Sequence, residues 1–224
     1  MFYRAPLIAT LVIALITTVS ARVAADETAE RLDAAALSFE EVMQTRDKAI
    51  PEDLLRKAAC LVLVPGLKKG AFIVGAKYGR GFVTCRRDGG GWSAPAGVRV
   101  EGGSIGFQIG GSETDVFMLV MNERGADKLL SSRFTLGGDA AVAAGPVGRQ
   151  TTAQTDAAMR AEILSWSRSR GIFAGVSLQG ATLRDDEEAN QEMYGRPLKN
   201  REIVRGTIAP PASADRLMAL VVRY

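Results

Sequence analysis

The sequence predicts an α+β fold: a bent or barrel-like antiparallel β-sheet flanked by N- and C-terminal helices. Three observations carry this. Short β-type runs at 61–64, 71–76, 80–86 and 116–121 are separated by glycine-containing breaks (Pro65-Gly66, Gly79, Asp88 to Gly91, Gly102-Gly103), the spacing of a sheet that curls or closes. Helical patterns lie on both sides of these runs. Glycine, at 24 residues, clusters between and within the strands, where it marks bulges, bends or close backbone approach.

The elements follow in order. Over 26–49, Leu32, Ala36, Phe39 and Met43 recur at three- and four-residue steps and share one helical face. Pro51 suits the first turn of a second, short helix over 51–59. After the first strands, 122–130 reads as a helix with Asn122 as its N-cap. Strand-like runs return at 134–142, 161–167 and 172–178, and 183–193 reads as a polar helix. Pro210-Pro211 precedes a last amphipathic helix with Leu217, Leu220, Val221 and Tyr224 on one face. No composition shift marks a domain boundary, and no repeat has a fixed period.

Residues 1–25 read as an export signal. Arg4 precedes an apolar run, 7–19, that is shorter than the roughly 20 residues a membrane-spanning helix needs. Both Val19-Ser20-Ala21 and Val23-Ala24-Ala25 satisfy the small-x-small cleavage pattern, and cleavage after Ala25 leaves Asp26 opening a polar chain. With no cysteine there, the signal has no lipobox. The expected organisation is thus a signal peptide, 1–25, and one domain, 26–224, with its core over about 51–206. The expected location is a bacterial periplasm, with peripheral membrane association.

Composition excludes several classes of function. The 224 residues contain no histidine and two cysteines, which argues against a Ser-His-Asp hydrolase, a Cys-His protease and a structural zinc site. Removing residues 1–25 takes away Arg4 and Arg22 and no acid, so the net charge falls from +3 to +1. A nucleic-acid partner is not expected from so neutral a chain. No metal, cofactor or catalytic residue is expected. Gly102-Gly103-Ser104-Ile105-Gly106 matches the G-x-S-x-G nucleophile pattern, but that elbow needs a strand–turn–helix context and a histidine base, and this segment continues as strand. Asp185-Asp186-Glu187-Glu188 reads as a solvated helix face. Cys60 and Cys85 each lie in an apolar run, and the sequence allows either a disulfide or two buried thiols.

Charge is unevenly distributed. Arg56, Lys57, Lys68, Lys69, Lys77, Arg80, Arg86 and Arg87 fall between Leu54 and Arg87, with no Asp or Glu among them. If they share a face they can attract anionic headgroups, at about 1 kcal/mol per Lys or Arg near a membrane. If acids from other segments neutralise them, they are ordinary surface charges. Lys68-Lys69 is expected in a loop and Lys77/Arg80 beside a turn.

A set of segments in fixed order is more specific than any of these features alone. It comprises Leu-Lys-Lys-Gly-Ala-Phe (67–72), Trp-Ser-Ala-Pro-Ala (92–96), Gly-Gly-Ser-Ile-Gly-Phe-Gln-Ile-Gly (102–110) and Val-Met-Asn-Glu-Arg-Gly (120–125). The glycine-rich stretches 134–149 and 167–180 and the Asn-x-x-x-Tyr-Gly of 190–195 complete it. The region from Pro51 to about Gly206 resembles the SYLF domain family of lipid-binding domains. The resemblance implies a phospholipid-binding module and not an enzyme. In eukaryotic members lipid contact is linked to an N-terminal amphipathic segment and basic residues. Fungal members also bind actin, a partner not expected of an exported chain. The corresponding regions here are the helix before Pro51, which carries Glu40, Glu41 and Asp47, and the basic group from Arg56 to Lys69.

The expected function is peripheral binding of anionic phospholipid through Lys68, Lys69, Lys77, Arg80, Arg86 and Arg87. The alternatives are a protein-interaction or envelope-maintenance module with envelope protein partners, and a carrier of an apolar ligand inside a barrel.

Overall fold

The computed structural model describes residues 27–45, 50–71, 74–105, 110–131, 133–146, 161–169, 172–175 and 178–224. The expected signal peptide lies outside the described residues. Helix α1 (27–44) and α2 (Glu52–Lys57) lead into β1 (Cys60–Ala71), β2 (Val74–Cys85), β3 (Ala96–Ile105) and β4 (Gly110–Val120). Helix α3 (Glu123–Leu129) is followed by β5 (Arg133–Thr135), β6 (Val142–Ala144), β7 (Ile163–Ser169), β8 (Ile172–Gly175) and β9 (Thr182–Asp185). Helices α4 (Glu187–Tyr194), α5 (Asn200–Arg205) and α6 (Asp215–Val221) close the described chain.

These strands form one sheet in the order β5-β9-β3-β2-β1-β4-β7-β6, with β8 also on β7. All pairs are antiparallel except β6 on β7. The sheet cannot be flat. Thr135 in β5 and Val142 in β6 are at opposite ends of the strand order, which in a flat sheet would span about 34 Å. Seven residues of chain reach at most about 25 Å. The sheet therefore curls into a half-barrel, and Phe134 and Val142 meet in one apolar cluster.

That cluster fills the concave face with Val62, Val83, Val100, Met118, Ile163 and Leu183, and α3 and α5 add Leu129 and Ile203. A second cluster covers the convex face, where Leu61, Leu63, Phe82, Phe117 and Trp166 pack under α1 and α6. The two clusters take alternate residues of β1, as the period-2 geometry of a strand requires. The expected face of α1 is the buried one, with Leu32, Ala36 and Phe39 each about 1% exposed or less. The expected face of α6 packs beside it, and Phe39 meets the Tyr224 ring edge-on at 6.0 Å. The Asn122 cap is present, its Oδ1 accepting from the Gly125 amide at 2.7 Å.

Several expectations are corrected. Pro65-Gly66 does not end a strand; it is a bulge within β1, where one extra residue shifts the register against both β2 and β4. Gly66 adopts φ +59° there, which favours glycine. Lys68, Lys69 and Lys77 are consequently in strands and not in loops. Gly79 does not end a strand either: a Cβ there would come within 2.8 Å of the Leu67 and Val64 side chains, so the residue marks close approach inside β2. The run 134–142 is two short strands joined by a turn, and Leu183 belongs to β9, so the polar helix begins only at Glu187. Helix α5 was not anticipated, its six residues being too few to show a period.

Cys60 and Cys85 form a disulfide between directly opposed positions of β1 and β2, with Cα atoms 3.9 Å apart. The alternative of two free thiols is set aside. Closing a loop between positions 25 apart in the sequence constrains the unfolded chain, so replacing both cysteines with serine should lower unfolding free energy by about 3 kcal/mol in a denaturant titration. Gly66→Ala should cost about 1–2 kcal/mol through its positive φ. Gly89→Ala, where nothing lies within 4 Å of the new methyl, should change stability by less than about 0.5 kcal/mol.

Candidate functional site

Three strand ends lie at one end of the half-barrel: Ala71 of β1, Ile105 of β3 and Ser169 of β7. The disulfide, α2 and α3 lie toward the other end. The bulge determines which side chains face inward near the three strand ends. Val64 and Leu67, separated by the extra residue, both pack into the concave cluster. Lys69, two residues on, faces the same way, while Lys68 faces out.

Lys69 is directly opposite Lys77 of β2. The same row continues to Ser112 of β4 beside Lys69 and to Gly102 of β3 beside Lys77. Beneath it, the next concave row holds Thr114, Leu67, Gly79 and Val100, all buried. On the outer face, exposed Lys68 is flanked by Tyr78 and Glu113. Among the described residues, no carboxylate lies within 4.0 Å of the ammonium of Lys68, Lys69 or Lys77. Like charges directly opposed in a sheet are destabilising, and Lys69 registers this: partial burial, and then the charge of Lys77, hold its ammonium below the ordinary lysine pKa.

The arginines do not join these lysines. Arg80 donates from Nη2 to Asp186 Oδ1 at 2.9 Å and also pairs with Glu188 at 3.3 Å. Burial alone would lower its pKa, but the hydrogen bond to Asp186 and the nearby acids outweigh that and raise it. Asp186 is fully buried and caps α4, accepting from the Ala189 amide, so the expected solvated face of four acids holds only for Glu187 and Glu188. Asp185 accepts from the Asn200 amide at 3.1 Å, and its burial raises its pKa. A capping acid ahead of a polar helix was a visible signal for Asp186; its pairing with a residue 106 positions away was not.

Arg86 donates to the carbonyl oxygens of Leu55 and Tyr224 and lies 4.4 Å over the Trp92 ring, a cation–π contact. Burial lowers its pKa. Arg87 donates to the Ile208 carbonyl at 3.1 Å. Trp92 is the buried floor beneath Arg86. Of the six sequence-predicted residues, the structure brings Lys69 and Lys77 together on the concave face, leaves Lys68 on the outer face of the same end, and sets Arg80, Arg86 and Arg87 into structural contacts elsewhere.

Helix α1 does not offer a free apolar stripe. Its acids Glu40 and Glu41 are paired with Arg216 and Arg168. An open groove of about 710 Å³ runs between α1 and the bulge, lined by Leu37, Glu41, Gly66, Asp115 and Arg168 among others. Asp115 accepts from the Gly66 amide at 3.0 Å and from Arg168 Nη2 at 3.0 Å. These bonds link the bulge to the helix through three side chains. Among the described residues, no group of three or more Cys, Asp or Glu is placed to hold a metal ion, and no helix is long and apolar enough to cross a membrane.

The Lys69–Lys77 pair has a direct spectroscopic consequence. Lys77→Gln removes one of the two causes of the depressed Lys69 value, so the Lys69 Nζ titration followed by NMR should move part of the way back toward an ordinary lysine. Between that depressed midpoint and the ordinary value the unfolded chain binds more protons than the folded one. Stability contributed by this site therefore rises with pH in that alkaline window, and Lys69→Gln should flatten the rise.

Residues 101–224 match the family model Ysc84, described as "Las17-binding protein actin regulator". The chain is 37% identical over 186 residues to the SH3 domain-containing protein PJ696.02 of Schizosaccharomyces pombe, covering 80% of this chain and 43% of that protein. It is 35% identical over 179 residues to LAS seventeen-binding protein 3 of Saccharomyces cerevisiae, covering 78% and 39%. It is 33% identical over 176 residues to the SH3 domain-containing YSC84-like protein 1 of Mus musculus, covering 78% and 52%. The chain thus spans about half or less of the length of these relatives. Together with the family motifs carried on β1, β3, β4 and α4, these matches show that the chain belongs to the Ysc84, or SYLF, family.

Proposed function

We propose that the protein is a non-catalytic, peripheral phospholipid-binding module whose contact surface is the lysine-bearing end of the half-barrel. The observation that carries this reading is the Lys69–Lys77 pair, two ammonium groups opposed on one face with no carboxylate partner among the described residues, with Lys68 exposed on the outer face at the same end. Unneutralised ammonium groups favour anionic headgroups by Coulombic attraction and by charge-assisted hydrogen bonds to phosphate oxygens. Membership of a lipid-binding domain family supports the same reading. The apolar face of α1 is buried, so membrane contact does not run through that helix.

Export to a periplasm is part of this proposal. The buried Cys60–Cys85 disulfide supports an oxidising compartment. The actin regulation in the family description is not extended to this chain, which export would separate from a cytoskeleton. A protein partner is the second reading. The relative named LAS seventeen-binding protein 3 favours it; an envelope protein captured by the pure protein without lipid, and released by lysine substitutions, would favour it over the first. The carrier reading loses support, because buried side chains from both sheet edges fill the described concave face.

Co-sedimentation with phosphatidylcholine vesicles containing increasing phosphatidylglycerol tests the membrane reading. Binding should rise with the anionic fraction and fall as salt is raised. Replacing Lys68 and Lys69 together with Gln should weaken partitioning by about 2 kcal/mol, roughly thirtyfold. Binding indifferent to both salt and anionic content would remove the electrostatic mechanism; an unaltered double variant would move the contact to another surface.

A further inference from the structure

We propose that Lys69 and Lys77 act as a two-ammonium clamp for a phosphate monoester, so that the protein prefers dianionic headgroups to phosphodiester headgroups at equal membrane charge. This inference rests on the membrane reading above and names the ligand chemistry of that site. Directly opposed residues on neighbouring antiparallel strands have Cβ atoms about 5 Å apart, so the two flexible side chains can close on one phosphate from either side. The row they occupy suits that ligand. Ser112 offers a hydroxyl donor next to Lys69, and Gly102, next to Lys77, packs against Ala181 and adds no competing charge to the row. The row behind is packed by Leu67, Thr114 and Val100, which gives the clamp a fixed base.

Charge decides between phosphate types. A phosphodiester brings one negative charge and leaves one ammonium uncompensated. A monoester brings close to two at neutral pH, with three terminal oxygens that can accept from both ammonium groups and the Ser112 hydroxyl. The charged groups on neighbouring positions do not compete for the pair. Glu113 is opposite Lys68 on the outer face, and Glu101 pairs with Arg184 at 3.7 Å. The depressed Lys69 pKa agrees with a pair that lacks its counter-ion.

The test compares phosphatidylcholine vesicles carrying phosphatidic acid with vesicles carrying phosphatidylglycerol, their fractions adjusted to equal electrophoretic mobility. One additional charge-assisted contact predicts about tenfold tighter binding to phosphatidic acid. Lys69→Gln and Lys77→Gln should each abolish the preference, whereas Lys68→Gln should weaken both lipids by the same factor and keep it. A second arm follows the Lys69 and Lys77 Nζ signals of the unmodified protein with glycerol 3-phosphate, a soluble monoester, against glycerophosphocholine, a soluble diester; selective shifts with the monoester are expected. Equal binding to the two vesicle types, with no selective shift, overturns the clamp and leaves the membrane reading standing. Selective shifts without binding to either vesicle assign the clamp to a soluble monoester and overturn the membrane reading. Absence of both vesicle binding and shifts overturns the two together.

Discussion

The bulge at Pro65-Gly66 is the local feature on which the arrangement of this molecule depends. Side chains alternate along a strand, so one inserted residue changes which of two consecutive side chains faces the core. Without the insertion, Lys68 would follow Val64 in phase and turn into the concave face. With it, Leu67 enters the core and Lys69 follows inward, opposite Lys77. The bulge frees a backbone amide, which donates to Asp115, and Asp115 accepts from Arg168. Arg168 in turn pairs with Glu41 of α1. The same irregularity that orients the lysines therefore anchors the first helix on the convex face. Its pairing partners differ on the two faces, but its geometry is shared.

Arginine and lysine are divided between two tasks for a physical reason. A guanidinium can present several donors in one plane and is weakly hydrated, so it tolerates partial burial among carbonyl and carboxylate oxygens. Arg80 on Asp186, Arg86 on two carbonyls and the Trp92 ring, and Arg87 on Ile208 are all of that kind. Lysine is a compact, strongly hydrated charge on a flexible stem. It is poorly suited to such sites, and the three lysines of this region lie where the strands run out of core. From Lys68 to Arg87 the basic run is thus two populations: arginines that hold helices and the chain end against the sheet, and lysines that form no ion pair among the described residues.

The curled sheet with flanking helices was legible because its signals are local. The apolar periodicity of α1, the Asn122 cap and the β-type runs around the glycines all survive in the structure. Element ends were less legible. Pro65-Gly66 and Gly79 look like turns, and whether a glycine interrupts a strand or lets a neighbouring strand approach depends on a partner many residues away. Leu67 beside Gly79 is such a partner. β9 was hidden because Leu183 fits a helical pattern as well as a strand, and only its pairing with β3 and β5 decides the matter. For the candidate site, charge composition pointed to the region of β1 and β2, where Lys69 and Lys77 are opposed. It could not separate Lys69 from Arg80, because that distinction rests on Asp186 arriving from over 100 residues downstream.

A sheet ordinarily avoids setting two ammonium groups face to face, and this one has other solutions at the same level: Ser112 and Gly102 show that small uncharged residues fit the row. The tolerance for the pair follows from its position. Toward the other end of β1 and β2, the disulfide and both apolar clusters meet, so the register is held well away from the lysines. Local repulsion near the three strand ends can then be absorbed without shifting the strands. A stabilised scaffold with one locally unfavourable charge arrangement is the pattern expected where a surface is kept ready for a ligand of opposite sign. In the proposed clamp the unfavourable term and the binding term are the same ammonium groups, so a bound phosphate would relieve the repulsion while forming its own hydrogen bonds.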